Sequence, residues 1–119
     1  MSEKPHKKLK VWQEAIVLTE MAYKVTSNFP KEEKFGLVSQ MRRSSVSVAS
    51  NIAEGAARYN NKEKIQFFLI ARGSISELDT QLEISKRLDF INADNKIFKK
   101  IEEVSILLYG LIESRRGKL

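Results

Sequence analysis

Residues 40–58, QMRRSSVSVASNIAEGAAR, combine the apolar spacing of an α-helix with an unusual number of small polar residues. At about 100° per residue, one face of this helix is mainly apolar and is expected to enter a protein core. That face consists of Val38, Met41, Ser45, Val48, Ala49, Ile52 and Ala56. A second, polar face consists of Gln40, Ser44, Ser47, Asn51, Glu54 and Arg58. Its polar groups either perform chemistry or allow another element to pack closely.

The rest of the chain follows the same helical pattern. Its 119 residues contain only two prolines and five glycines, and apolar residues recur three and four positions apart. This periodicity predicts helices at residues 9–27, 37–57, 61–88 and 94–114. Asn60 followed by Glu63 is typical of a helix N-terminus, and Pro30 ends the first helix.

Long helices joined by short connections favour antiparallel packing. We therefore expect one domain over residues 9–114, an all-α, up-down-up-down antiparallel four-helix bundle. A flexible basic tail is expected at residues 1–8, and a second basic tail at residues 115–119.

The predicted third helix has apolar residues on two nearly opposite faces. One face is expected in the core and carries Phe68, Ala71, Ile75, Leu78 and Leu82. The far face carries Ile70, Gly73, Ile84 and Leu88. An isolated bundle would leave this apolar face in water, and glycine inside a helix costs about 1 kcal/mol relative to alanine. Both features favour a homo-oligomer in which another backbone approaches Gly73.

The positive charge of the chain is concentrated at its two ends. The formal net charge is +6, and residues 1–10 and 115–119 each contribute an excess of three positive charges. In an up-down-up-down bundle both ends lie at one pole, together with the turn between the second and third helices, which adds Lys64. The candidate nucleic-acid-binding residues are Lys7, Lys8, Lys10, Arg58, Lys62, Arg115, Arg116 and Lys118. Their alternative role is to keep the protein solvated.

The sequence offers few groups for catalysis or metal binding. It contains no cysteine and therefore no disulfide, thiolate nucleophile or cysteine-ligated metal. The single histidine, His6, is in the N-terminal tail, so the helices have no histidine to activate a serine. The five glycines do not form a phosphate-binding loop. We expect a noncatalytic protein without cofactor, metal or small-molecule substrate.

The small and aromatic helix residues have a structural interpretation. Serine and glycine on helices are usually packing spacers, and four residues fit that role. They are Ser44, Ser47, Gly73 and Ser74. The aromatic residues Trp12, Phe67 and Phe68 are expected in the core.

The larger polar residues of the same helices are expected to form a buried network. We expect Asn51, Glu54 and Glu77 to bind Arg42 or Arg43 there, because burying an unpaired charge costs several kcal/mol. The sequence leaves open whether the polar face is a subunit interface or an internal network.

No segment of the sequence is typical of membrane insertion or export. The apolar run at residues 106–112 is far shorter than the roughly 20 residues of a membrane span. The basic N-terminus is not followed by the apolar segment of a secretory signal. We expect a cytoplasmic protein without membrane contact.

Three stretches, LKVWQEAIVL, FPKEEKFGLVSQMRRSSVSVASNIAEGAAR and FFLIARGSISELDTQL, resemble a known family. This is the four-helix-bundle family named after 23S ribosomal RNA intervening sequences, which also takes in the accessory variability proteins of diversity-generating retroelements. The resemblance spans residues 9–112. Where the family often has alanine or isoleucine, this chain has Ser44, Ser45 and Val48.

The resemblance implies a bacterial four-helix bundle that assembles as a ring, commonly a pentamer, with a basic surface suited to nucleic acid. The matching motif positions are Gln40, Arg43, Ser47, Asn51, Glu54, Gly55, Arg58, Gly73, Ser74 and Glu77.

The charge distribution and the resemblance lead to two candidate functions, one in nucleic-acid binding and one in protein interaction. The first is a noncatalytic homo-oligomeric ring scaffold that binds RNA or DNA through its basic pole, largely without sequence specificity. The alternative is a protein-interaction adaptor, for example an accessory subunit of a reverse transcriptase.

Overall fold

The computed structural model describes residues 4–119, and the described chain is helical. Its elements are a 3-10 turn at Pro5–Lys8, α1 at Lys10–Thr26, a 3-10 turn at Lys31–Glu33, α2 at Leu37–Ala56, α3 at Asn61–Arg87 and α4 at Ile97–Arg116. Residues 4–119 contain no β-strand. No helix in this part of the chain is long and apolar enough to cross a bilayer.

The helix ends follow from local hydrogen bonding. The Asn60 side chain accepts a hydrogen bond from the Glu63 backbone N–H at 2.8 Å, so the predicted N-cap of α3 is confirmed. The fourth helix begins at Ile97, three residues later than predicted, where the Asn95 side chain accepts from the Ile97 N–H at 3.0 Å. It ends at Arg116, so the first two residues of the predicted C-terminal tail are helical.

The four helices form a closed square in chain order. Each helix packs against its neighbours in sequence, and α4 packs against α1. The late α1 residue Thr26 bonds the early α2 residue Arg42, whereas Thr19 bonds the Ser45 carbonyl at 3.1 Å. Lys86 near the end of α3 lies over the Phe98 ring near the start of α4. Neighbouring helices are therefore antiparallel, and the predicted fold class is confirmed.

The core contains one apolar stripe from each helix. The five α3 residues predicted for the core are all buried, as are Val11, Ala15, Leu18 and Ala22 of α1. Val38 and Ala56 are half-buried, because the packed face of α2 is rotated slightly from the predicted one. Of the three aromatic residues expected in the core, only Phe68 is buried, at 1% exposure, whereas Trp12 and Phe67 are half-buried.

Gly55 marks a close approach of α2 to α3. A Cβ atom at this position would lie 2.6 Å from Cε1 of Phe68 and 3.0 Å from the Lys64 carbonyl oxygen. Gly73, by contrast, has no atom of another element within 4 Å of its Cβ position. The approach predicted at Gly73 is that of another subunit and stays a prediction, whereas Gly55 provides a close approach within the subunit.

We predict opposite effects for alanine at these two glycines. Gly55→Ala should lower the free energy of unfolding by about 1–3 kcal/mol, because the buried Phe68 ring must move. Gly73→Ala should raise it by about 0.5–1 kcal/mol, since the position is exposed and alanine favours a helix. Urea denaturation followed by circular dichroism measures both. Equal stabilities of the two variants would contradict this account of α2–α3 packing.

Candidate nucleic-acid interface

The polar face of α2 lies against α3 and forms two hydrogen-bonded clusters. In the first cluster, the hydroxyl oxygens of Ser47 and Ser74 are 2.8 Å apart. Asn51 Nδ2 donates to the Ser47 carbonyl at 2.9 Å and lies 3.1 Å from the Ser47 hydroxyl. Ser74 is buried, so these partners replace the water that its hydroxyl loses on folding. Small side chains let the two backbones approach without leaving these hydroxyls unpaired.

The second cluster lies nearer the start of α2. The Ser44 hydroxyl lies 2.9 Å from the Gln40 carbonyl oxygen and 3.1 Å from Gln81 Oε1. Gln81 Nε2 donates to the Gln40 side chain at 3.5 Å. The sequence interpretation missed Gln81, although it follows Ser74 by seven residues and therefore lies on the same face of α3. The clusters consist of neutral groups that join α2 to α3 within one subunit.

The charged residues predicted for this network lie outside it. Glu54 is exposed and binds Arg58 on its own helix at 3.0 Å. Glu77 and Arg43 are also exposed. The predicted buried network of carboxylates with arginine is therefore wrong, because the neutral hydroxyl and amide groups already satisfy one another and the charges stay in water.

Arg42 bridges α2 to α1 instead of binding a carboxylate. Its Nε donates to the Thr26 hydroxyl at 3.0 Å, and its guanidinium lies 4.6 Å from the centre of the Tyr23 ring. The Thr26 hydroxyl in turn donates to the Ala22 carbonyl at 2.7 Å. This polar contact fixes the end of α1 against the start of α2.

The antiparallel square brings both chain ends to the α2–α3 turn. The N-terminal 3-10 turn packs against α1 and α2. At the same end, Lys64 at the start of α3 lies close enough to Arg115 at the end of α4 for their charges to interact. We call this surface the basic end. Its cations are Lys7, Lys8, Arg58, Lys62, Lys64, Arg115, Arg116 and Lys118.

The N-terminal segment is folded rather than extended into solvent. Gln13 Nε2 donates to the Lys7 carbonyl at 2.9 Å. The His6 ring lies 4.8 Å from the Trp12 ring in an edge-on arrangement. These contacts correct the prediction of a flexible tail for residues 5–8, whereas residues 1–3 lie outside the described residues. The turn holds Lys7 and Lys8 beside the first turn of α1.

The predicted nucleic-acid-binding residues differ in how they are paired. Four of them, Lys7, Lys8, Lys62 and Lys118, are exposed and form no ion pair with another residue of the described chain. Arg116 pairs with Glu113 at 3.3 Å, and Arg58 pairs with Glu54 while lying 4.5 Å from the centre of the Phe67 ring.

Lys10, the first residue of α1, lies on the seam between α1 and α4. It pairs with Glu14 at 3.5 Å, and the same carboxylate binds Lys100 of α4. Lys100 also binds Glu103 at 2.9 Å. Lys10 is therefore partly neutralised by this network, while its side chain remains 67% exposed.

Lys64 and Arg115 lie close enough for their positive charges to repel each other. Lys64 Nζ donates to the Ala56 carbonyl at the end of α2 at 3.0 Å. Burial lowers the pKa of Lys64, and the positive charge of Arg115 lowers it further. Arg115 Nε is buried and has no hydrogen-bond partner within residues 4–119. An anion at this position would relieve the repulsion between the two side chains.

The fold and the surface define a class of protein, a four-helix bundle with one strongly cationic end. No cluster of three metal-ligating side chains occurs in residues 4–119. The family model described as 23S rRNA-intervening sequence protein matches residues 7–110. The chain belongs to this family. No individually curated protein matches it. The matched range includes Lys7, Lys8, Lys10, Arg58 and Lys62, and it ends before the cations of the C-terminus.

We predict that the ion pair between Glu14 of α1 and Lys100 of α4 stabilises the bundle at intermediate pH. This stabilisation should be lost in strong acid and in strong alkali. Lys100 lowers the pKa of Glu14 through a hydrogen bond, and the same bond raises the pKa of Lys100. The stabilisation that Glu14 provides is fully present above its unfolded pKa of about 4.3. It is lost as the pH falls through the lowered pKa of Glu14 in the folded protein. The stabilisation that Lys100 provides is fully present below its unfolded pKa of about 10.4. It is lost as the pH rises through the raised pKa of Lys100 in the folded protein.

Glu14→Gln should therefore lower the free energy of unfolding by about 0.5 kcal/mol at neutral pH, with no difference from the wild type at about pH 2. Glu20→Gln is the matched control, because Glu20 is exposed on the same helix and forms no ion pair in the described chain. Denaturant titrations at several pH values measure the difference. A Glu14 effect that is independent of pH would contradict the ion-pair explanation.

Proposed function

We propose that this protein is a noncatalytic cytoplasmic scaffold that assembles into a ring of identical subunits and binds nucleic acid through its basic end. The observation that carries the proposal is the meeting of cations from three distant parts of the chain at one end of the bundle. The family description, which names 23S rRNA, supports RNA as the ligand. The resemblance noted in the sequence suggests five subunits.

The charges of the basic end support binding to phosphate backbones rather than to particular bases. Lysine is a flexible point charge, and an exposed lysine can follow the phosphates of any sequence. Release of the counterions around the nucleic acid then provides most of the binding free energy. The proposed interaction is strong at low salt and nearly independent of sequence.

Two opposite sides of the square support assembly by a repeated head-to-tail contact. A groove between α1 and α2 is basic and aromatic, with Phe35 at 88% exposure beside Lys34, Arg42 and Arg43. The groove between α3 and α4 is acidic and apolar, and its lining residues include Asp79, Glu102 and Ile106. Because the two grooves carry opposite charge and both expose apolar side chains, we propose that the first groove of one subunit packs on the second groove of the next.

The overlap of the two grooves along the bundle is compatible with a closed ring. Ser47 lines the α1–α2 groove and contacts Ser74, which is adjacent in sequence to Ile75 of the α3–α4 groove. The two grooves therefore overlap in height where Ser47 meets Ser74, and the α1–α2 groove extends from there toward Phe35, before the start of α2. A head-to-tail contact without a large vertical shift repeats around an axis parallel to the helices, which closes a ring instead of extending a filament. In such a ring every basic end points in the same direction.

We predict that nucleic-acid binding depends on the unpaired lysines of the basic end. Replacing Lys62 and Lys118 together by glutamine should weaken binding to RNA and to DNA. The slope of log affinity against log salt should become shallower by about 1 for each phosphate that the variant no longer neutralises. Fluorescence anisotropy of labelled strands at several salt concentrations measures both quantities.

The matched control for this experiment replaces Lys24 and Lys31, which are exposed at the opposite end of the bundle, by glutamine. The control protein should bind as the wild type does. Equal weakening in both double variants would contradict a localised site. No binding by the wild type near 50 mM salt would overturn the nucleic-acid proposal and favour the adaptor alternative.

We predict that the wild type is several times heavier in solution than its subunit mass of 13.7 kDa. Phe35→Ser should reduce the measured mass toward that of one subunit, because it removes the exposed ring from the proposed contact. Leu119→Ser is the control, since Leu119 is an exposed apolar residue outside both grooves. Multi-angle light scattering measures the mass, and circular dichroism checks that each variant is folded. A monomeric wild type, or a mass unchanged by Phe35→Ser, would contradict the proposed interface.

A further inference from the structure

Tyr59 is a fully exposed aromatic residue within the basic end. It lies in the short turn between α2 and α3, and its exposure is 103% of the reference value. Its sequence neighbours include two cations of the proposed nucleic-acid interface, Arg58 and Lys62. Leaving a large aromatic ring in water forgoes the stabilisation that its burial would provide, so its position suggests a partner.

The free ring faces of Tyr59 distinguish it from Tyr23, Phe67 and Phe35, each of which lies against a cation. The Arg42 guanidinium lies over Tyr23, the Arg58 guanidinium lies over Phe67, and Lys34 lies over Phe35 at 5.4 Å. No cation of residues 4–119 lies over the Tyr59 ring. Both faces of this ring are open to a planar group from outside the subunit.

The backbone on either side of Tyr59 is held in place. The Arg58 N–H donates to the Gly55 carbonyl at 3.1 Å, which ends α2. On the other side, Asn60 caps α3 through Glu63, and the Lys64 N–H donates to the Asn60 carbonyl at 3.1 Å. The aromatic side chain therefore projects from a short turn that is anchored at both ends, and less conformational entropy is lost on binding than at a flexible loop.

We propose that Tyr59 is a stacking site for an unpaired base, so that the preferred ligand of the basic end is single-stranded nucleic acid. This inference rests on the proposed nucleic-acid function. An exposed aromatic ring beside cations is the combination by which proteins bind single strands, because each base offers a π face while the cations contact the backbone. In a duplex the base faces are already stacked, so the ring gains little there. The pair of Lys64 and Arg115 adds two further cations at the same end.

The test compares one labelled RNA strand, free and paired with its complement, by fluorescence anisotropy at fixed salt. Tyr59→Ala should weaken binding of the single strand about 5- to 100-fold and binding of the duplex less than about twofold. Tyr59→Trp should bind the single strand at least as well as the wild type. Tyr59→Leu should bind as weakly as Tyr59→Ala, because leucine is apolar but cannot stack.

Leu119→Ala is the control for removal of an exposed apolar side chain at the basic end, and it should leave both affinities unchanged. Tyr59→Ala could weaken binding of the single strand and the duplex equally, or weaken neither. Either result would overturn the stacking inference. If the Lys62 and Lys118 double variant still weakens binding, the nucleic-acid proposal itself stands. A wild type that binds neither ligand would overturn both the stacking site and the nucleic-acid proposal.

Discussion

The close packing of α2 on α3 is the constraint on which the rest of the bundle depends. Gly55 leaves room for the Phe68 ring at one end of this interface, and the Ser47–Ser74 contact brings the helices together near its middle. Apolar burial provides the driving force, while the small polar residues set how near the two helices can lie. Helix α1 packs on α2, and α4 packs on α3. The geometry of the α2–α3 pair therefore determines where α1 and α4 contact each other.

Charge is distributed so that the interior stays nearly neutral. Hydroxyl and amide groups form the clusters between α2 and α3, whereas Glu54 and Arg58 pair at the surface. Burying the ions would require full compensation of their hydration, which the neutral groups do not need. The unpaired lysines of the basic end stay in water, where a ligand with negative charge can reach them.

The two proposals assign different tasks to different parts of one subunit. The grooves on opposite sides of the square are proposed to join subunits, and the basic end is proposed to contact nucleic acid. These surfaces do not compete, because the grooves run along the flanks while Tyr59 projects from the turn at the end. A ring would therefore present several copies of the same site, which raises the overall affinity through multivalency.

The sequence by itself determined the four helices, most core positions, the Asn60 cap and the concentration of cations at the chain ends, because periodicity and charge order are local properties. The tertiary structure alone decided which polar groups meet. It placed Gln81 in the second cluster, made Gly55 a close approach of α2 to α3, and folded residues 5–8 onto α1. Those choices depend on the rotation of each helix and the contacts it makes, which residue spacing within one helix does not specify.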